Sequence, residues 1–157
     1  MSAPFAVPSC SVSPAGGGVC SYTNGTTGSI IQSAFEEAWQ NYIYTATPVA
    51  GYEFDHWEFT RTWDEYNQQP RQEPTYSSPA NPYTSNGASD AGSAAWYEYG
   101  GEWAGLPGYK GHVASISVLA VFRAIPQHTH LLVNSSTAEN PAQIVFDPTT
   151  DLLVADF

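Results

Sequence analysis

Positive charge is what this 157-residue sequence has least of: four Lys and Arg stand against fifteen Asp and Glu, a formal net charge of -11 at neutral pH. A phosphate backbone would be repelled over the whole surface, so nucleic acid and anionic membranes are poor partners. Charged residues of either sign make up only 12%. That is little for a helical cytosolic enzyme and suits turn-rich β structure outside the cytosol. No apolar run is long enough to span a bilayer as a helix. Met1 to Pro8 carries no basic segment followed by an apolar stretch, so no secretory signal is read there. A small virion protein, released by cell lysis, needs none.

Catalytic signatures are missing as well. There is no Gly-x-Ser-x-Gly elbow, no phosphate loop, no dinucleotide fingerprint and no Asp-x-Asp-x-Asp-Gly calcium loop. His128 and His130 lie two apart on an extended segment and share a face, but two ligands do not make a metal site. Asp55, Glu58, Asp64 and Glu65 cluster near Trp57 and Trp63. Carboxylate pairs of that kind serve glycoside hydrolysis only at a fixed separation, which spacing in sequence does not supply. The expectation is a protein that is not an enzyme and that holds neither cofactor nor metal.

Turn residues and aromatics are what the chain does have: 13 Gly, 12 Pro, 10 Tyr, 7 Phe and 5 Trp. From Tyr44 to Trp57 an alternating strand runs into a Pro-to-Gly turn and then a second strand dense in aromatics, a hairpin signature. Tyr52, Phe54 and Trp57 can all point inward only if the second strand bulges or turns near Asp55-His56. Cys10 and Cys20 flank a Gly-rich turn centred on Pro14 to Gly18, which predicts a disulfide across an antiparallel hairpin. Ser33-Ala-Phe-Glu36 reads as a capping box, and Phe35, Ala38, Trp39 and Tyr42 follow at helical spacing, so a short helix is expected over about 34–41.

Four blocks in order, Val12 to Val19, Tyr44 to Trp57, Asn81-Pro82 and Val118 to Phe122, give the chain a resemblance over about residues 10–124 to the divergent internalin B repeat, a module of bacterial surface proteins. The Ala-Thr-Pro to Gly-Tyr-x-Phe-x-x-Trp block is its most specific part. The resemblance implies a β-grasp-like domain with no catalytic residues, whose apolar positions put Ala46, Phe54, Trp57, Val121 and Phe122 in one core. The expected fold is therefore mainly β: a β-grasp-like small domain over 1–124 with one short helix and long aromatic loop insertions, then a strand plus β-hairpin over 125–157.

The insertions, Thr60 to Ala80 and Tyr83 to Gly111, are where function is sought. Loops this long inside a compact domain are functional or disordered. Tyr, Trp, Ser, Gly and Asn supply rigid contact area with adaptable hydrogen bonds. Trp96, Tyr97, Tyr99, Trp103 and Tyr109 are thus the candidate partner-contact residues, with an extra hairpin over Trp96 to Tyr99 covering the core as the structural alternative. Leu152, Val154 and Phe157 join them, because a terminal apolar strand offers an unpaired edge. Three functions remain in view. The first is a structural or interaction subunit of an extracellular particle, such as a phage decoration or tail accessory protein, contacting other subunits. The others are a bacterial cell-surface adhesion module and a carbohydrate-binding domain using the Trp/Tyr-rich loop.

Overall fold

A computed structural model of the chain describes residues 5–32, 35–65, 70–99, 109–126, 129–133, 142–147 and 152–156. They fall into two compact units, Met1–Arg123 and Ala124–Phe157. Both are built from strands, and no helix occurs among the described residues.

The larger unit has nine strands: β1 Pro8–Ser13, β2 Gly18–Gln32, β3 Phe35–Pro48, β4 Tyr52–Glu65, β5 Arg71–Gln72, β6 Tyr76–Ser78, β7 Tyr83–Thr84, β8 Ala94–Tyr99 and β9 Tyr109–Ala124. They share one sheet in the order β2-β3-β8-β9-β4-β5. Strand β1 pairs parallel with β9, while β6 and β7 pair antiparallel with β4 and β3.

The expected helix over 34–41 is not formed. From Phe35 onward those residues are strand β3, laddered to β2 from Gln32↔Phe35 to Gly28↔Trp39 and to β8 from Phe35↔Tyr99 to Gln40↔Ala94. Two ladders satisfy every backbone group that a helix would satisfy locally, and tertiary pairing outweighs a weak helical preference. The period of 2 is visible further along, where Ala38, Tyr42, Tyr44 and Ala46 are all buried. With the helix goes the helix-on-sheet part of the β-grasp expectation.

The core is aromatic. Tyr44 packs on Phe59 and Trp57 at ring separations of 5.1 and 6.0 Å, and Phe59 on Tyr83 at 4.8 Å. In β4 the inward parity changes between Phe54, which meets Trp57 at 5.2 Å, and the buried series Trp57, Phe59, Arg61, Trp63. The switch lies where the sequence demanded an irregularity. In β9 a like switch separates Val113 from Ile116, Val118, Ala120 and Phe122, where the strand leaves its pairing with β8 and takes up β1. Ala46, Trp57 and Phe122 are core residues and Phe54 packs against them, but Val121 is not among them. Its odd position turns it away from the face that buries Ala120 and Phe122.

Two cross-strand glycines make room for rings. A Cβ on Gly28 would lie inside the Trp39 indole, and one on Gly111 would meet the Tyr97 ring. Asn81 acts as a side-chain substitute for a strand: its Oδ1 accepts from Ala46 N at 3.0 Å and its Nδ2 donates to Ala46 O at 2.7 Å.

Cys10 and Cys20 form a disulfide with a Cα separation of 5.9 Å. Its setting differs from the expected hairpin. Cys10 lies opposite Val118 of β9 and Cys20 opposite Ala46 of β3, so β1 and β2 have other ladder partners and the bridge ties those two pairings together. The intervening turn closes through Gly17 N donating to Pro14 O at 2.9 Å, with Gly16 at φ 85°. Closing so short a loop stabilises by on the order of 3 kcal/mol in the chain-entropy model. Alkylation with intact-mass readout should find no free thiol before reduction, and reduction should lower the denaturation midpoint accordingly.

The smaller unit is one antiparallel sheet of β10 Thr129–Val133, β11 Ala142–Asp147 and β12 Leu152–Asp156, with Leu131↔Ile144 and Val145↔Val154 in register. Strands β10 and β12 are its edges.

Candidate functional site

The densest polar chemistry in the larger unit surrounds the Ser85–Ser93 loop. Its sequence, Ser-Asn-Gly-Ala-Ser-Asp-Ala-Gly-Ser, is turn material. Gly87 takes φ 80°, a left-handed conformation that side chains resist, and Ser93 N donates to Asp90 O at 2.9 Å.

Arg61 of β4 holds this loop from below. Only 2% exposed, its Nη1 donates to the carbonyls of Ala88, Asp90 and Ser93 at 2.8, 2.7 and 3.0 Å. Its Nε and Nη2 grip the Glu73 carboxylate at 2.8 and 3.0 Å, and Trp63 Nε1 donates to the same group at 2.7 Å. From the β3 side, Asn41 Oδ1 accepts from Gly87 N and Ser93 Oγ at 2.9 and 3.0 Å, and the Tyr44 hydroxyl donates to Gly92 O at 2.6 Å. No buried side-chain nitrogen or oxygen among the described residues lacks a partner.

The result is a fixed loop beside an open cleft of about 560 Å³, lined in part by Arg71, Tyr76, Tyr83, Asn86, Ser89 and Asp90. Asp90 is an oriented acceptor: Oδ1 receives Tyr83 Oη and Gly92 N at 2.8 Å each, and Oδ2 receives Asn86 N at 3.1 Å. Burial, reinforced by the Asp90 carboxylate, pushes the Tyr83 hydroxyl far above the usual phenol range, so it stays a donor. Recognition by hydrogen bonds and ring contact is what such a site can perform.

Of the carboxylates near Trp57 and Trp63, Asp55, Glu58 and Asp64 form surface pairs. His56 sits between Asp55 and Glu58 at 2.6 and 3.1 Å, and Arg123 bridges Glu53 and Asp55 at 2.6 and 3.3 Å. His112 faces Asp64 at 3.8 Å. Hydrogen bonds donated to Asp55 and then to Glu58 raise the His56 imidazole above its ordinary value against the opposing effect of burial. A raised folded value contributes stability that is whole below the unfolded pKa of about 6.5 and is lost as pH rises through the folded value. His56→Gln should therefore lower the melting temperature at mildly acidic pH and leave it nearly unchanged in alkali.

The sequence-derived contact residues do not form a loop over their first half. Trp96, Tyr97 and Tyr99 lie in β8, laddered to β3 on one side and β9 on the other. Trp96 is half-buried, and Tyr97 packs against the core with Trp63 at 5.6 Å. Tyr109 opens β9 opposite Tyr99, while Trp103 lies outside the described residues. Leu152 and Val154 lie on edge strand β12, and Phe157 is outside the described residues. His130 is in β10, and His128 is outside. Sequence reading passed over Tyr76, Tyr83, Asn86 and Asp90 as individuals. The signal was present in the Asn-Gly and Asp-Ala-Gly turns set between aromatic positions. Comparison with protein-family models, curated proteins and solved structures finds no match to the chain.

Proposed function

We propose that the chain is a non-enzymatic interaction subunit displayed outside the cell, most concretely a small tailed-phage virion protein acting as a capsid decoration or tail accessory. The observation that carries this reading is a pair of open sheet edges. Strand β2, 15 residues long, ends the larger sheet, and among the described residues only β3 ladders to it. Its far end presents Ile30 and Ile31, the latter 74% exposed. Strand β12 ends the smaller sheet in the same way. Long edges with apolar side chains are templates for strand addition by another chain. The disulfide is compatible with an extracellular location, where such bonds persist. The net charge of -11 favours protein partners over nucleic acid.

Sedimentation velocity tests this. The full chain should sediment as an oligomer, with more than about 1,000 Å² buried per contact. Ile31→Lys, or deletion of residues 152–157, should leave a folded protein that no longer assembles. A full chain that stays monomeric at high concentration would leave the cell-surface module as the better reading.

A further inference from the structure

We propose that the cleft beside β6 and β7 is a binding site for a neutral saccharide, a pyranose unit of an uncharged glycan. The proposal is independent of the assembly reading, because it uses different residues from the β2 and β12 edges.

The first reason is the platform. Tyr76 remains 47% exposed although its ring is braced by Phe59 at 6.4 Å and Tyr83 at 6.3 Å. Its partner in the ladder, Phe59, belongs to the same β4 strand that carries Arg61. Tyr76 thus adds a solvent-accessible aromatic ring to the lining of the cleft. The face of an aromatic ring is electron-rich, which suits the polarised C–H groups of a pyranose and gives a metal-free, uncharged contact.

The second reason is the donor and acceptor balance around that ring. Asp90 supplies a carboxylate already oriented by Tyr83 and two backbone N–H groups. Asn86 offers an amide that both donates and accepts, and Ser89 a hydroxyl. A sugar hydroxyl donates and accepts at once, so it needs both kinds of partner within reach. A phosphate needs donors alone and would be repelled by Asp90. A cation needs several free carboxylates, whereas Glu73 is committed to Arg61 and Trp63, and no group of three metal-ligating side chains occurs among the described residues. The charge of -11 weighs against an anionic polysaccharide.

The third reason is preorganisation. Arg61, Asn41 and Tyr44 fix the Ser85–Ser93 loop before any ligand arrives, so little ordering cost falls on binding. A cleft of about 560 Å³ is within the roughly 300–1,000 Å³ usual for small-ligand sites. Its open form admits a unit within a longer chain.

The test is a nitrogen-15 NMR titration of the full chain with cellohexaose, N-acetylchitohexaose and mannohexaose to millimolar concentration, and with hexagalacturonate as the anionic control. At least one neutral hexasaccharide should produce saturable shifts centred on the amides of Tyr76, Asn86, Asp90 and Ala91. Tyr76→Ala should weaken that binding about tenfold or more, roughly the loss of one good contact, while Tyr76→Phe keeps most of it. Asn86→Ala provides a second loss variant should Tyr76→Ala disturb β6. Ile31→Lys should bind like the parent chain. The proposal is overturned if no neutral probe shifts these amides, if Tyr76→Ala and Asn86→Ala both bind undiminished, or if hexagalacturonate binds as tightly.

Discussion

Replacing Arg61 with alanine should cost about 3–5 kcal/mol of folding stability, the range for breaking a buried ion pair by removing one partner. Three carbonyls of the Ser85–Ser93 loop lose their donor together, those of Ala88, Asp90 and Ser93. Glu73, with its side chain only 21% exposed, loses its counter-charge. Arg61→Lys should recover only part of the loss. A single ammonium cannot grip the carboxylate through two nitrogens and also reach three carbonyls, which the planar guanidinium does at once. Denaturant titration measures both variants. A loss for Arg61→Ala below about 1 kcal/mol, the level of a surface pair, would mean that the guanidinium is not the anchor described.

The pH dependence gives that result a second arm. Burial pulls the Glu73 carboxyl upward, but hydrogen bonds from Arg61 and Trp63, with the charge of Arg61, outweigh it and hold the group below its ordinary value. A depressed carboxylate contributes stability above its unfolded pKa and loses it as pH falls through the folded one. The gap between the parent chain and Arg61→Ala should narrow in acid. Hydrogen exchange at the amides of the loop should quicken in the variant even where the protein remains folded.

How much of this could be read from the residues differs by element. The hairpin of β3 and β4 was legible because alternating aromatics flank a Pro-Val-Ala-Gly turn, and both signals are local. The three strands after Ala124 were legible for the same reason. Strand β3 was misread at its start. The Ser33 to Glu36 capping box and the spacing of Phe35, Ala38, Trp39 and Tyr42 fit a helix as well as they fit a strand. What decides between them is pairing with β2 and β8, and the β8 partners lie 54 to 64 positions away in sequence, from Gln40↔Ala94 to Phe35↔Tyr99. The disulfide was foreseen from two cysteines around a glycine turn, yet not its setting, because the partner of β1 is β9 at the far end of the unit. Long-range pairing is the information that periodicity cannot carry.

The cleft was hidden by a different cause. Arg61 in a run of Thr-Arg-Thr-Trp reads as an ordinary outward charge between aromatics, and nothing local announces that it is buried. Only once Trp57, Phe59 and Trp63 are known to face inward does the period of 2 force Arg61 inward with them, and a buried guanidinium then requires acceptors. Those acceptors are the loop carbonyls and Glu73. The sequence reading placed recognition in the insertion over residues 83–111 by its Tyr, Trp, Ser, Gly and Asn content, and that segment supplies Tyr83, Asn86, Ser89 and Asp90 to the cleft. It assigned the contact to Trp96, Tyr97 and Tyr99, which the sheet takes up as β8.

The second large effect should come from Trp57. The side chain is fully buried between Phe54, Tyr44 and Phe59, at ring separations of 5.2, 6.0 and 6.0 Å. Its indole Nε1 donates to Ala80 O at 2.8 Å. Trp57→Ala should cost about 3–5 kcal/mol, the transfer of a large aromatic plus the void it leaves in a core whose neighbouring rings cannot all collapse inward. Trp57→Phe separates the two contributions. It keeps much of the apolar contact and removes the N–H, so its loss should be smaller, about 0.5–1.5 kcal/mol, the net contribution of one hydrogen bond, because exposed Ala80 can turn its carbonyl to water. The next residue, Asn81, is the side chain that pairs with Ala46 of β3. Freeing Ala80 should therefore loosen that pairing as well, and Ala46 N should exchange faster in Trp57→Phe than in the parent chain. If Trp57→Ala lost less than about 1 kcal/mol in denaturant, the indole would have to be a surface group. The aromatic core linking β3 to β4 would then have to be rebuilt around Tyr44 and Phe59 alone.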